Sequence, residues 1–209
     1  MLQQYLRYKS RWGRRPIEAF DFAMGLVSIV VGLAISDLTT SLHRLIRHRN
    51  GVAWDLRPML AAAFAFVVLF SMWFDLWAVR SRPEILTYPF LLSIMVELVL
   101  LSLMATSALP DEPLPRVDLA AFYQENARAI WSFFLLFQVS YVAHWFYFVL
   151  TSSGYSLDRM LARVPETLMV PVAASLLVIM PRKRSLHLVL IALLLFYWLF
   201  GFYDHRIAM

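Results

Sequence analysis

The sequence predicts an all-α fold, a polytopic membrane helical bundle of about six transmembrane helices. Two observations carry this expectation. Of 209 residues, 61% are hydrophobic and only 16% charged, with a mean hydropathy of +0.65; a soluble chain of this length has no core large enough to hide so much apolar surface. The apolar residues also fall into runs close to the roughly 20 residues that cross about 30 Å of hydrocarbon. These runs are about 17–42, 58–79, 89–109, 129–150, 165–180 and 186–203.

Each run has physical punctuation. Pro16 and Pro58 stand where a first helical turn can spare an N–H, and "SRPE" at 81–84 is a capping-box pattern ahead of the third helix. The acidic, proline-rich "LPDEPLPRVD" separates helices three and four. After it, "DLAAFYQENARA" predicts a short interfacial helix capped by Asp118. "PRKRS" predicts a tight hairpin between the last two helices. The fifth run is the weak one, because Pro165 and Pro171 interrupt it and only 14 residues run from Thr167 to Met180. At 1.5 Å each that is about 21 Å, which predicts a short, kinked or re-entrant element.

Residues 1–16 form a basic interfacial segment, and 17–209 a single transmembrane domain. The first apolar run carries no small-x-small cleavage site, so it is expected to act as a signal anchor. Six crossings place ten Lys/Arg on the N-terminal side (five in the N-terminal segment, Arg80, Arg82, Arg159, Arg163, Arg206) and nine on the other, so charge asymmetry barely sets the orientation. A re-entrant fifth helix would move "PRKR" across.

Composition also excludes chemistry. The absence of cysteine removes disulfides, thiolate metal sites, iron–sulfur ligation and thiol nucleophiles. The net charge of +5 flanks apolar runs and suits anionic headgroups rather than nucleic acid. No G-x-S-x-G, H-E-x-x-H, P-loop or dinucleotide fingerprint is present, and no catalytic residue, metal site or cofactor is expected. His43 and His48 are poorly spaced for one metal, and His144 and His187 start on opposite sides, which disfavours a bis-histidine haem.

Polar residues inside apolar runs are costly and have reasons to be there. At 100° per residue, Asp21, Gly25, Ser28, Gly32, Ser36, Thr39 and His43 share one arc of the first helix. Small-xxx-small positions such as Gly25, Ser28, Gly32 and Ser36 predict close helix packing, or the lining of a path or an oligomer axis. Asp37 points about 160° away from Asp21 and needs another partner, Arg57 or Arg128 being available. Glu97 lies near the middle of "PFLLSIMVELVLLSLMATSAL", too deep to snorkel. Gln138 is at matching depth, so a Glu97–Gln138 hydrogen bond is expected, with Ser93 as second partner. Topology sorts Asp21, Asp75 and His144 toward the N-terminal side, and Asp37, Arg57, Arg128 and His187 toward the other. Asp21, Asp37, Asp75, Glu97, Gln138 and His144 are therefore the ion or proton pathway candidates. The bland alternative is interfacial ion pairing, with headgroup anchoring by Trp73, Trp77 and Trp145.

"MGLVSIVVGLAISDLTTSLHRLIRHRN", the Trp-rich "FSMWFDLWAVR" and "LPDEPLPRVDLAAFYQENARAIWSFF" resemble a group of small polytopic bacterial inner-membrane proteins of unassigned function. The resemblance covers about residues 18–150 and implies a multipass protein of the bacterial inner membrane. A fainter one joins Arg15, Glu18, Ala19, Phe20 and Asp21 of "RRPIEAFDFA" to the first-helix Arg-x-Glu-Ala-Phe-Ser-Asp signature of bacterial relatives of the lysosomal potassium channel. Here the serine is missing and Asp21 comes one position early. This second resemblance implies an oligomeric channel. Two functional expectations follow. One is a homo-oligomeric cation or proton channel or transporter subunit in a lipid bilayer. The other is a non-conducting scaffold or accessory module, for example of a stress or defence system, that acts through a protein partner.

Overall fold

Long apolar runs rich in leucine, alanine and methionine favour helices, and Pro16, Pro58 and Pro89 fall in first turns. The computed structural model describes residues 15–78, 87–111, 116–151 and 157–203. Six α-helices are found there: α1 Arg15–Arg47, α2 Leu56–Ala78, α3 Tyr88–Ala108, α4 Leu119–Thr151, α5 Leu157–Ile179 and α6 Arg184–Tyr203. The chain is an all-α helical bundle. Three of its helices hold segments long and apolar enough to cross a membrane, Phe20–Arg47, Leu56–Trp77 and Tyr88–Ala108. The basic segment 1–14, the "SRPE" motif and residues 112–115 lie outside the described residues, as do the side chains of Trp145, Arg159 and Arg163.

Two boundaries differ from expectation. The separate interfacial helix after Asp118 does not exist: α4 runs unbroken for 33 residues, because its apolar face continues through Tyr123, Ala127 and Ile130, all buried. Asp118 does cap it, its Oδ1 accepting from Ala120 N at 2.8 Å and Ala121 N at 3.1 Å. Nor is the fifth element short: α5 is one 23-residue helix through both prolines. At about 34 Å it is longer than the roughly 30 Å of a hydrocarbon core. Each proline deletes a single backbone donor, and packing along α4 and α6 holds the rest.

The direction of α5 follows from its far end. Arg184, at the start of α6, is 3.1 Å from Asp55, just before α2, and His187 meets Tyr123 near the start of α4. The "PRKR" hairpin therefore lies at the same end of the bundle as the α1–α2 and α3–α4 connections, so α5 is not re-entrant. Those connections are themselves joined by a two-residue parallel bridge, β1 Val52–Ala53 with β2 Val117–Asp118. Ser41 Oγ donates to Asp111 Oδ1 at 2.6 Å, and Arg44 Nη1 to the Asp111 carbonyl at 2.6 Å. A small apolar cluster including Leu38, Leu45, Leu109 and Leu119 fills the space beneath.

The main core lies between the helices. Phe64 of α2 touches Trp131 and Phe134 of α4 and Trp198 of α6, with ring centroids 4.9–5.8 Å apart. Against this core α1 buries Phe20, Met24, Val27, Val31, Ala34, Leu38, Ser41 and Leu45, a strict alternation of four- and three-residue steps. That 3.5-residue period is the seam of left-handed helix packing.

If Asp118 is the cap that starts α4, Asp118→Ala will lower stability by about 1 kcal/mol while Asp118→Asn stays near wild type. Equilibrium unfolding in detergent micelles checks this; equal loss in both variants would remove the cap from the account.

Candidate functional site

Glu97 is only 1% exposed, on the face of α3 that α4 covers. Its partners come from one face of α4. Ser140 Oγ donates to Glu97 Oε1 at 2.7 Å, and His144 Nδ1 lies 2.8 Å from the same oxygen. Ser140 and His144 are four residues apart, one turn on one face. Gln138 is about 160° from Ser140 on the same wheel, so the two cannot both face α3. The expected Glu97–Gln138 bond is thus absent: Gln138 is buried with its Nε2 unpartnered. Ser93 is not the second partner either, since its Oγ donates to the Phe90 carbonyl of its own helix at 2.8 Å.

The His144 ring packs against Phe90, 5.4 Å between centroids, and keeps 24% of its side chain exposed. Bonding at Nδ1 leaves Nε2 as the nitrogen free to exchange a proton outward. Glu97, Ser140 and His144 are therefore a titratable link between α3 and α4. Asp75, half-buried on α2, and Glu97 both lie within electrostatic range of Tyr141.

The remaining candidates do not converge on this link. Asp21 and Asp37 are both exposed on α1. Asp37 makes no ion pair among the described residues, and Arg57 is committed elsewhere. Gly25, Ser28, Gly32 and Ser36 also lie on the exposed side of α1, and a Cβ added at Gly25 or Gly32 would meet nothing within 4 Å. Among the described residues the stripe is not a packing surface; it touches the bundle at Ser28, whose Oγ accepts from Trp73 Nε1 at 3.1 Å. Trp73 itself stacks on Trp77, 6.0 Å between centroids. Thr39 and His43 continue the stripe outward.

A second polar cluster, not anticipated from the sequence, sits at the hairpin end. Asp55 accepts from Arg57 N and Arg57 Nε at 2.9 Å through Oδ1, and from Arg57 Nη2 at 3.2 Å through Oδ2. Arg57 is 1% exposed and its guanidinium lies 5.3 Å over the Tyr123 ring. The guanidinium hydrogen bonds hold the Asp55 carboxyl below its ordinary range. Burial pushes the Tyr123 phenol up, so it stays an O–H donor at neutral pH. Tyr123 Oη accepts from Trp131 Nε1 at 2.8 Å and donates to His187 Nδ1 at 2.8 Å; His187 Nε2–H then donates to the Met180 carbonyl at 3.1 Å. This accounting fixes the His187 tautomer. One signal was legible in advance: Asp55 precedes a proline-bearing first turn, as an N-cap does.

His144 and His187 belong to these two separate clusters, so they cannot share a haem. Among the described residues no group of three His, Asp or Glu side chains could hold a metal ion. Comparison with protein-family models, with curated proteins and with solved structures finds no match.

The buried Asp55–Arg57 pair makes two predictions. Arg57→Ala leaves a buried carboxylate with only an exposed arginine beside it and will cost about 3–5 kcal/mol, read by unfolding at pH 7. Because the folded pKa of Asp55 is depressed, its contribution is present above the ordinary value of 3.8 and lost as pH falls below it. An Asp55→Asn variant will therefore show a shallower acid loss than wild type; identical acid profiles would contradict the assignment.

Proposed function

We propose that this chain is a multipass protein of the bacterial inner membrane that works as a homo-oligomeric cation or proton channel, or as a transporter subunit of that kind. One observation carries the reading: the polar, small-residue stripe of α1 points away from its own bundle. A helix face turned toward lipid is stabilised by apolar side chains, and Asp21, Ser28, Ser36, Thr39 and His43 are poor lipid neighbours. Association of copies along this stripe would remove it from lipid and allow close backbone approach at Gly25 and Gly32.

The interior of a single chain supports the same placement of the route. Between the Tyr123–Trp131 cluster and Ser140, α4 buries Phe134 and Phe137, and α3 buries Leu98, Leu101 and Met104 over the same stretch. Nine residues from Trp131 to Ser140 make a largely apolar layer about 13 Å deep. Its polar side chains, Gln138 of α4 and Ser102 of α3, form no connected chain among the described residues, which supports a route between copies, with Asp21 at its N-terminal mouth. Glu97 and His144 are then the protonatable pair that couples helix packing to proton supply.

A second reading, a non-conducting scaffold or accessory module, is favoured by the dense side-chain hydrogen bonding that ties the helices together at Glu97 and at Asp55. Flux decides between them. Wild-type protein in proteoliposomes is expected to pass protons or potassium, Asp21→Asn to reduce that flux, and Glu97→Gln to flatten its pH dependence while helicity is retained. A wild type silent across pH and voltage would reject conduction and leave the module.

A further inference from the structure

The three connections at the hairpin end bring cations together from distant parts of the sequence. Arg47 ends α1, and Arg49 opens the turn before β1. The register of the bridge sets Val117 opposite Val52, so Arg116 lies level with Gly51. Arg184 reaches Asp55, two residues past β1, with Arg182 and Lys183 just ahead of it in the chain. Four residues of extended chain cover at most about 14 Å. All three connections therefore meet on the short segment 51–55.

Arg47, Arg49, Arg116, Arg182 and Lys183 are all exposed, and none forms an ion pair among the described residues. The acids nearby are already engaged: Asp55 with Arg57 and Arg184, Asp111 with Ser41, and Asp118 with the first turn of α4. Glu112, the one further acid of these connections, lies outside the described residues. Like charges gathered this way repel one another, and an anionic surface relieves the repulsion. The neighbouring apolar side chains tell which kind of anion fits. Trp54 and Leu56, on either side of Asp55, are 47% and 59% exposed, and Ile46, next to Arg47, is 52% exposed. The apolar spans of α1 and α2 end at Arg47 and begin at Leu56, and the apolar part of α6 begins at Arg184. Indole and aliphatic side chains set among cations at the ends of apolar helices match the headgroup boundary of an anionic leaflet. A soluble polyanion would leave them in water.

We propose that the hairpin end of the bundle is seated in an anionic leaflet, with phospholipid phosphates as counterions of Arg47, Arg49, Arg116, Arg182 and Lys183, and with Trp54 and Leu56 at the headgroup boundary. The proposal rests on the membrane reading above but not on conduction. It also gives the β1–β2 bridge a consequence. By pinning the α1–α2 connection to the α3–α4 connection, the bridge holds Arg49 and Arg116 as one charged face.

The test reads lipid composition at this face alone. Because the chain lacks cysteine, Ala53→Cys, at an exposed position beside Trp54, takes a single fluorophore. The labelled full-length protein is placed in phosphatidylcholine vesicles containing a minor fraction of acyl-chain spin-labelled phosphatidylglycerol or spin-labelled phosphatidylcholine, and quenching is compared. Phosphatidylglycerol is expected to be enriched about tenfold at the label, an excess that shrinks as salt rises. Arg49→Gln with Arg116→Gln will lower the enrichment about threefold or more, whereas Arg49→Lys with Arg116→Lys will keep it, because attraction to the leaflet needs charge rather than guanidinium shape. Equal quenching by the two lipids overturns the proposal, and so does an enrichment that the Gln pair leaves unchanged. If the Gln pair fails to fold, salt decides: an enrichment indifferent to ionic strength overturns the proposal. A short oligonucleotide that displaces phosphatidylglycerol from the label gives the face to a soluble polyanion and overturns it too. Alkaline extraction of membranes separates the two levels: an extracted protein overturns the membrane reading as well, and a retained one with equal quenching overturns the lipid surface alone.

Discussion

A charge inside an apolar helical bundle has to find its hydrogen bonds within the chain, and the architecture answers to that constraint at Asp55 and Arg57. Both are buried, so neither can rely on water, and an unpaired ion there is far more costly than an unpaired amide. The solution uses neighbours in sequence and in space. Asp55 caps α2 through Arg57 N and grips the guanidinium, while Arg57 spreads over Tyr123. Tyr123 in turn orders Trp131 and His187, and His187 closes on the Met180 carbonyl just past the end of α5. One ion pair thereby sets the relative placement of α2, α4, α5 and α6 at the hairpin end. Three connections, the β1–β2 bridge and the Leu38–Leu119 cluster then pack onto a fixed base.

The first helix shows how one element serves two surfaces. Its 3.5-residue seam carries the apolar packing of α1 on α2 and α3, with Ser28 and Arg44 adding hydrogen bonds at the edges. A helix free of internal demands elsewhere can carry chemistry on its outside. On one flank that is the Asp21–Gly25–Ser28–Gly32 stripe, on the other an apolar groove against α3 lined by Phe22, Leu26 and Leu92. The two flanks call for different company, a polar or close-packed neighbour on one and hydrocarbon on the other.

Much of this was readable from the sequence, and the failures have identifiable causes. Apolar runs located all six helices, since run length and polarity are local properties. Helix ends were poorer: α4 absorbed the expected interfacial helix because burial of Tyr123 and Ala127 is decided by neighbouring helices, and α5 ran through Pro165 and Pro171 because packing outweighs one lost donor each. At Glu97, depth was right and direction wrong. Matching positions along the bundle picked Gln138, but direction around the helix picks Ser140 and His144, and that angle was available in the sequence. The Asp55–Arg57–Tyr123–His187 cluster brings residues 55 and 187 together, a pairing that periodicity does not encode.

The exchange of Gln138 for His144 changes what the α3–α4 contact can do. An amide partner would have made Glu97 a fixed clamp, since glutamine has one protonation state. With an imidazole opposite, both partners of the contact belong to residue types that exchange protons. Ser140 donates to Glu97 while the carboxylate is ionised, which keeps the oxygen placed as the imidazole changes state. The ring is part-exposed and the carboxylate is not, so His144 is the member of the pair that reaches the surface. The same helix α3 also packs against α1. The Glu97–His144 contact and the outward stripe are thus joined through α3, which packs on both α4 and α1.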